Sequence, residues 1–277
     1  MAIKNILVAY NGFPGSEAAL SGAVQMQAHY DAHLTGLFAH GGSKLSQQIQ
    51  PWMPQKVKDA IMEVEEQSNQ NIKEKFDEAS APVPADKRHW IESEGPVQRT
   101  IAAYARLYDI IALGIHETTP EYRQSHIEIY PDRIALDSGR PVIIFPSGND
   151  SKVSGRRVVV AWDGGRAAAR ALADAMGILG KDDRIEIVSV GRAPLARSLP
   201  GFDVCKVLER HGFSVTLTEL PRGRDSVAET LIKHCEAVAA NLLVMGAYDH
   251  SPLREGLIGG VTQDIAIKTR IPVLMSH

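Results

Sequence analysis

Ile6-Leu7-Val8-Ala9-Tyr10-Asn11-Gly12 is written a second time, 152 residues later, as Val158-Val159-Val160-Ala161-Trp162-Asp163-Gly164. Each copy is an apolar run that stops at a polar turn, as a parallel strand buried on both faces should. The echo continues with Ala19-Leu20 on Ala171-Leu172 at the same offset. Further along, Asp109-Ile110-Ile111-Ala112-Leu113-Gly114 falls on Asn241-Leu242-Leu243-Val244-Met245-Gly246 at an offset of 132. Arg140-Pro141-Val142-Ile143-Ile144 falls on Ile271-Pro272-Val273-Leu274-Met275 at 131. Self-similarity at this period means a duplicated domain, because solenoid units repeat every ~20–50 residues. The falling offset puts about 20 extra residues inside the first copy, in the Gly/Ser/Gln/Pro-rich stretch 40–55 and a longer helix after it. Residues 1–147 form repeat 1, the polar stretch 148–155 is a linker, and 156–277 form repeat 2.

Within each repeat, short apolar runs alternate with amphipathic ones. Repeat 1 reads as strands at 6–10, 33–38, 87–92, 110–114 and 142–145. Repeat 2 reads as strands at 157–161, 184–190, 215–220, 242–246 and 273–275, with helices at 167–179, 203–211, 226–239 and 261–270. The fold class is therefore α/β: two tandem doubly wound domains, each an open five-stranded, mostly parallel sheet with helices on both faces. The last strands, 141–145 and 272–275, are short and apolar, and such an edge invites pairing with its own copy.

The 277 residues carry 30 Lys+Arg against 33 Asp+Glu, a net charge of -3, so no strongly basic face points to nucleic acid. No apolar run approaches the ~20 residues that span a bilayer, and Met1-Ala2-Ile3-Lys4 enters a strand without a signal-peptide pattern. Cys205 and Cys235 are too few for a disulfide framework and suit a reducing compartment. A cytoplasmic protein is expected, with neither nucleic acid nor membrane as partner.

In open α/β sheets, ligands bind beyond the carboxyl ends of the strands, where the strand order reverses. Three segments of repeat 2 converge there. Ala161-Trp162-Asp163 follows the first strand; its carboxylate can accept from a ribose hydroxyl or cap the next helix. Val190, ending the second strand, offers an apolar wall for a base, or is plain core. The run Gly246-Ala247-Tyr248-Asp249-His250-Ser251-Pro252-Leu253-Arg254-Glu255-Gly256-Leu257-Ile258-Gly259-Gly260-Val261-Thr262 leads from the fourth strand into the last helix. Gly259 and Gly260 let backbone N–H groups approach an anion at a helix N-terminus, Thr262 adds a hydroxyl and Arg254 a guanidinium. A glycine-eased loop into a helix explains the same glycines.

These residues resemble the universal stress protein family, specifically its tandem members, over nearly the whole chain. The resemblance implies an ATP-binding branch with an Asp after the first strand and Gly-x2-Gly-x9-Gly-Ser/Thr after the fourth. Gly246 and Gly259 match the first and third glycines. Asp249 stands where the second Gly belongs, and Gly260 where Ser or Thr belongs. A carboxylate at 249 opposes a triphosphate unless Mg or Arg254 intervenes. The resemblance also implies pairing through the last strands, which single-domain relatives make between chains. A homodimer of full chains is expected beyond that.

Repeat 1 reads as emptied. Asn11 replaces Asp163, Glu117 replaces Asp249, and Gly259–Thr262 map by 131 onto Glu128-Ile129-Tyr130-Pro131. Residues 1–150 hold 13 Lys+Arg and 19 Asp+Glu; the remainder hold 17 and 14. Neither a zinc-ligand spacing, a P-loop nor a nucleophile elbow occurs, and His234-Cys235 reads as ordinary packing. Trp52 in the inserted stretch reads as surface loop sooner than ligand lid. Three functions stay open: an adenine-nucleotide-binding stress regulator, a slow ATPase or adenylyl-transfer enzyme, and an interaction module that binds no nucleotide.

Overall fold

The computed structural model describes residues 3–41, 49–114, 129–148, 155–191, 203–247 and 260–277. Asp249, Arg254, Gly259, Glu117, Glu128 and most of the linker lie outside them.

Repeat 1 runs β1 (Asn5–Ala9), α1 (Pro14–Tyr30), β2 (His33–His40), α2 (Gln55–Ala79), β3 (Arg88–Glu94), α3 (Val97–Ala105), β4 (Ile110–Gly114), α4 (Pro131–Ser138), β5 (Val142–Phe145). Repeat 2 runs β6 (Arg157–Ala161), α5 (Arg166–Ala175), β7 (Arg184–Val190), α6 (Val204–Arg210), β8 (Ser214–Leu220), α7 (Val227–Ala237), β9 (Leu242–Gly246), α8 (Val261–Lys268), β10 (Val273–Ser276). The strands line up as β3-β2-β1-β4-β5-β10-β9-β6-β7-β8 in a single sheet. Neighbours are parallel except at the centre, where β5 and β10 run antiparallel with Val273 opposite Ile144 and Met275 opposite Val142. The last strands therefore do pair, and two five-stranded sheets become one of ten. Val142, Ile144, Val273 and Met275 are fully buried at this seam.

Strands buried on both faces have no polar alternation, which is why β1, β4 and β9 are almost wholly apolar. The helices cover the sheet in two layers, giving one apolar core on each face. Expected and observed boundaries differ by a residue or two at most strands. The largest difference is at α5, expected to reach Leu179: it ends at Ala175, and Gly177 and Gly180 carry the chain through turns instead. Trp52 is 77 % exposed beside α2, as a surface segment should be.

Two local devices are duplicated along with the strands. Asp109 Oδ2 accepts from the backbone N–H of Lys4 and of Asn5, both at 2.8 Å, clamping the start of β1 onto β4. Its counterpart Asn241 accepts from Arg157 N–H at 3.0 Å and clamps β6 onto β9. The second device is a glycine. A Cβ at Gly114 would lie 2.0 Å from the carbonyl oxygen of Gly15, and one at Gly246 would lie 2.7 Å from the backbone of Ala167 and Ala168. Both glycines end a fourth strand where the first helix of their repeat packs down onto it.

Candidate functional site

The strand order reverses between β1 and β4 in repeat 1 and between β6 and β9 in repeat 2, since each first strand pairs with neighbours on both sides. In repeat 2, Val160 lies opposite Val244, so Ala161-Trp162-Asp163 and Gly246 leave the sheet side by side. The β6–β7 ladder runs one step further, with Trp162 N–H donating to Val188 at 2.8 Å and Ser189 Oγ donating to the Trp162 carbonyl at 2.5 Å. This bond holds the half-buried Trp162 against the end of β7, where Val190 is also half-buried. Ser189 was not singled out by sequence, and a lone serine in an apolar run gives no signal for it.

Asp163 is exposed. Its Oδ1 accepts from Gly165 N–H at 2.7 Å, closing a turn in which Gly164 takes a left-handed φ of 72°. Asp163 therefore does not cap the next helix, whose N-cap is Gly165 without a side-chain cap; it closes the turn just before it and leaves Oδ2 for a ribose hydroxyl. Gly246 has the packing duty described above, whatever it does for a ligand. Gly260 is the N-cap of α8 without a side-chain cap, Val261 and Thr262 form the first turn, and a Cβ at Gly260 would meet none of the described residues within 4 Å. The opening N–H groups of α8 carry the partial positive charge of a helix start, which favours an anion. The backbone from 260 to 262 therefore fits a phosphate group, and the apolar ends of β6 and β7 fit a base.

Repeat 1 keeps the turn and the glycine but differs at the helix start. Asn11 Oδ1 makes the equivalent turn bond, from Phe13 N–H at 3.2 Å. At the start of α4, Tyr130 N–H donates to Gln98 Oε1 at 3.0 Å, while Gln98 Nε2 donates to the Tyr130 carbonyl. Pro131 follows with no N–H to offer, and the buried Asp132 brings its own carboxylate to the first turn. Helix starts align Pro131 with Val261 and Tyr130 with Gly260, so the mapping of Pro131 onto Thr262 is corrected by one residue. Repeat 2 has one more residue between that helix and the last strand. The capping role of Gln98 was missed, because a glutamine 32 residues upstream leaves no local pattern.

Sequence reasoning also missed a buried ion pair in repeat 2. Asp183 accepts from Arg156 Nη2 at 2.8 Å, from Arg156 N–H at 2.7 Å and from Gly180 N–H at 2.9 Å; its side chain is wholly buried. Arg156 Nη2 also reaches the Ile178 carbonyl, which accepts Tyr30 Oη from repeat 1 at 2.7 Å. Burial beside this pair raises the Tyr30 phenol above its ordinary value. The signal was available: Lys4 and Asp31 occupy the matching positions at the offset of 152. There the charges separate, Asp31 pairing with Lys87 and Lys4 Nζ donating to backbone carbonyls.

An α/β protein with paired doubly wound halves and a helix-start crevice at one switch point is the class that fold and site define. A family model described as "Universal stress protein family" matches residues 2–127 and 203–277. The chain belongs to the universal stress protein family. It is 32 % identical over 171 residues to the universal stress protein Slr1230 of Synechocystis sp., covering 60 % of this chain and 57 % of that one. The chain thus spans a little over half the length of that curated relative. A universal stress protein structure from Archaeoglobus fulgidus matches with a TM-score of 0.69 at 17 % identity, covering 98 % of this chain and 95 % of that one. A functionally unknown protein of Pseudomonas aeruginosa, PA1789, matches with a TM-score of 0.54 at 15 % identity, covering 99 % and 92 %. At these identities the solved structures speak for the fold. No described helix is long and apolar enough to cross a membrane.

Proposed function

We propose that the second of two domains, residues 156–277, binds an adenine nucleotide, ATP with or without Mg, and that the protein is a cytoplasmic stress-response regulator. Ala161, Trp162 and Val190 would flank the base, and Asp163 would meet the ribose through Oδ2. Gly246, Gly259, Gly260, Val261 and Thr262 would receive the phosphates, with Arg254 adding charge. The observation that carries the reading is the start of α8, the helix that follows β9 in the chain, where Gly260 leaves the helix N-terminus without a side-chain cap. The matching helix start in repeat 1 is closed by Gln98 and Pro131. One observation favours a second reading, an interaction module without nucleotide: Asp163 already has a structural task in its turn with Gly165.

Calorimetric titration with Mg-ATP, run alongside a phosphate-release assay, tests the proposal. The expected result is binding without appreciable turnover. Gly260→Glu should abolish that binding by placing a carboxylate among the N–H groups, while Gly260→Ala should leave stability intact, since its Cβ meets none of the described residues within 4 Å and φ is an ordinary −116°. Absence of binding in the parent chain supports the interaction module, and steady phosphate release supports a slow ATPase.

A further inference from the structure

At the amino ends of the strands in repeat 1, far along the sheet from the nucleotide crevice, two imidazoles touch. Thr35 on β2 pairs with His89 on β3, which leaves His33, two residues back on the same face, diagonal to His89. His33 Nδ1 lies 3.0 Å from His89 Nε2, with the ring planes 17° apart and the centroids 5.3 Å apart. One nitrogen holds a hydrogen and the other must present a lone pair. Both residues are exposed. They stand on the rim of a cavity of about 500 Å³ that also has Asn5, Thr35, Tyr104 and Tyr108 in its walls.

Repeat 2 has no such imidazole pair at the matching place. Strand register puts Arg184 where His33 stands and Glu186 where Thr35 stands. There Glu186 Oε1 accepts from Thr218 Oγ1 at 2.5 Å and lies 3.1 Å from His234 Nε2, so the polar groups satisfy one another.

We propose that His33 and His89 form a two-imidazole site for a divalent transition metal of the copper(II) or nickel(II) type, with water and the oxygen donors of Asn5 and Thr35 available to complete the shell. Metal–imidazole bonds run about 2.0–2.1 Å, so two of them at a right angle hold their nitrogens about 2.9 Å apart, against about 3.4 Å in a tetrahedron. The 3.0 Å separation suits the right-angled arrangement, which copper(II) and nickel(II) prefer. The 5.3 Å centroid separation sets the two nitrogens head to head, so each ring must turn its lone pair about 45° from the N···N line to meet a common metal, a swing that two exposed rings at a sheet edge allow. In the neutral pair the bridging hydrogen moves to the outer nitrogen of its own ring. Two metal–nitrogen bonds then form, two waters leave the metal, and no proton is released. The surrounding charge is balanced: Asp31 is paired with Lys87, Lys4 Nζ is held by backbone carbonyls, and Asp109 is held by the amides of residues 4 and 5.

Titration of the tag-free full chain with copper(II), followed by calorimetry and electron paramagnetic resonance, tests the site. The expected result is one equivalent bound with coupling to two imidazole nitrogens. His33→Ala and His89→Ala should each weaken that equivalent at least tenfold and reduce the coupling to one nitrogen, while His29→Ala changes neither. Mg-ATP affinity should be untouched in both variants, which separates this site from the nucleotide reading. If either alanine lowers the thermal unfolding midpoint, the asparagine variants replace them. Copper(II) bound equally well by the parent and both variants, or a parent spectrum without two-nitrogen coupling, overturns the proposal.

Discussion

The last helices of the two repeats begin in opposite chemistry. In repeat 1, Gln98 takes the cap amide of α4, proline fills the first position, and Asp132 supplies the negative charge that a helix start attracts. In repeat 2, glycine caps α8 and, among the described residues, no side chain takes its place. The buried charges are distributed the other way. Repeat 2 locks Arg156 against Asp183 in its interior, and repeat 1 lets the equivalent Lys4 and Asp31 face outward. Repeat 1 has therefore closed its helix start with its own side chains and relaxed its base, whereas in repeat 2 the described residues leave the helix start uncapped above a stiffened base. Duplication preserved the scaffold, and each copy then settled its polar groups independently.

The largest test of that difference is the pair Asp183→Ala and Asp31→Ala. Removing Asp183 strands a buried guanidinium, so urea denaturation should show a loss of about 3–5 kcal/mol. Asp31→Ala should lower the midpoint far less, because that carboxylate is held below its ordinary value chiefly by an exposed contact with Lys87, and the small loss that remains comes from placing alanine at a left-handed φ of 52°. Equal losses would mean that the two bases carry equivalent roles. The next effect concerns what the copies share. Gly114→Ala drives a Cβ into a backbone carbonyl and should cost about 3 kcal/mol, and Gly246→Ala about 1–2 kcal/mol, because its clash is less severe. Reversal of that order would show that the helix in repeat 1 yields more easily than the one in repeat 2.

Much of this was legible from sequence because apolar runs are local. The ten strands, the duplication and the β5–β10 seam all follow from short β-branched stretches whose neighbours repeat. Polar satisfaction is not local. Gln98 reaches 32 residues to Tyr130, so its partner cannot be named until the chain is folded, and Asp183 reaches 27 residues back to Arg156, with only the echo of Lys4 and Asp31 in repeat 1 to point to it. Asp163 shows the intermediate case. Its turn is readable from Asp-Gly-Gly, but a turn and a ribose contact ask for the same residue type.

Asp163→Asn separates those two tasks by giving repeat 2 the residue that repeat 1 already uses. An amide oxygen can keep the bond to Gly165 N–H, as Asn11 does with Phe13, so stability should hold. The second oxygen becomes an N–H donor and can no longer accept from a ribose. Mg-ATP affinity should fall by about 1–3 kcal/mol if Asp163 meets the sugar, and stay constant if it only closes the turn. Asn11→Asp in repeat 1 should create no second site, since Gln98 and Pro131 still close the helix start.

The smallest effect is alkaline and distinguishes the two cores. Burial, reinforced by Glu186, pushes the Cys235 thiol of repeat 2 up to about 12, and burial pushes the Tyr10 phenol of repeat 1 up to about 12. Each group stays protonated in the folded chain after its unfolded counterpart has ionised, so the folded state binds more protons and stability falls as pH rises. The contribution is fully present below pH 9 for the thiol and below pH 10 for the phenol, from which ordinary values it declines toward pH 12. Between pH 8 and 10 the thiol alone should account for about 1 kcal/mol. Cys235→Ala should flatten the part of the slope that starts first, and Tyr10→Phe the part that starts about one pH unit later. The phenylalanine should cost little at neutral pH, because Tyr10 Oη is buried with no hydrogen-bond partner among the described residues. Denaturation midpoints at pH 8, 10 and 11 decide it: a slope that survives both substitutions would place the alkaline weakness outside the two cores.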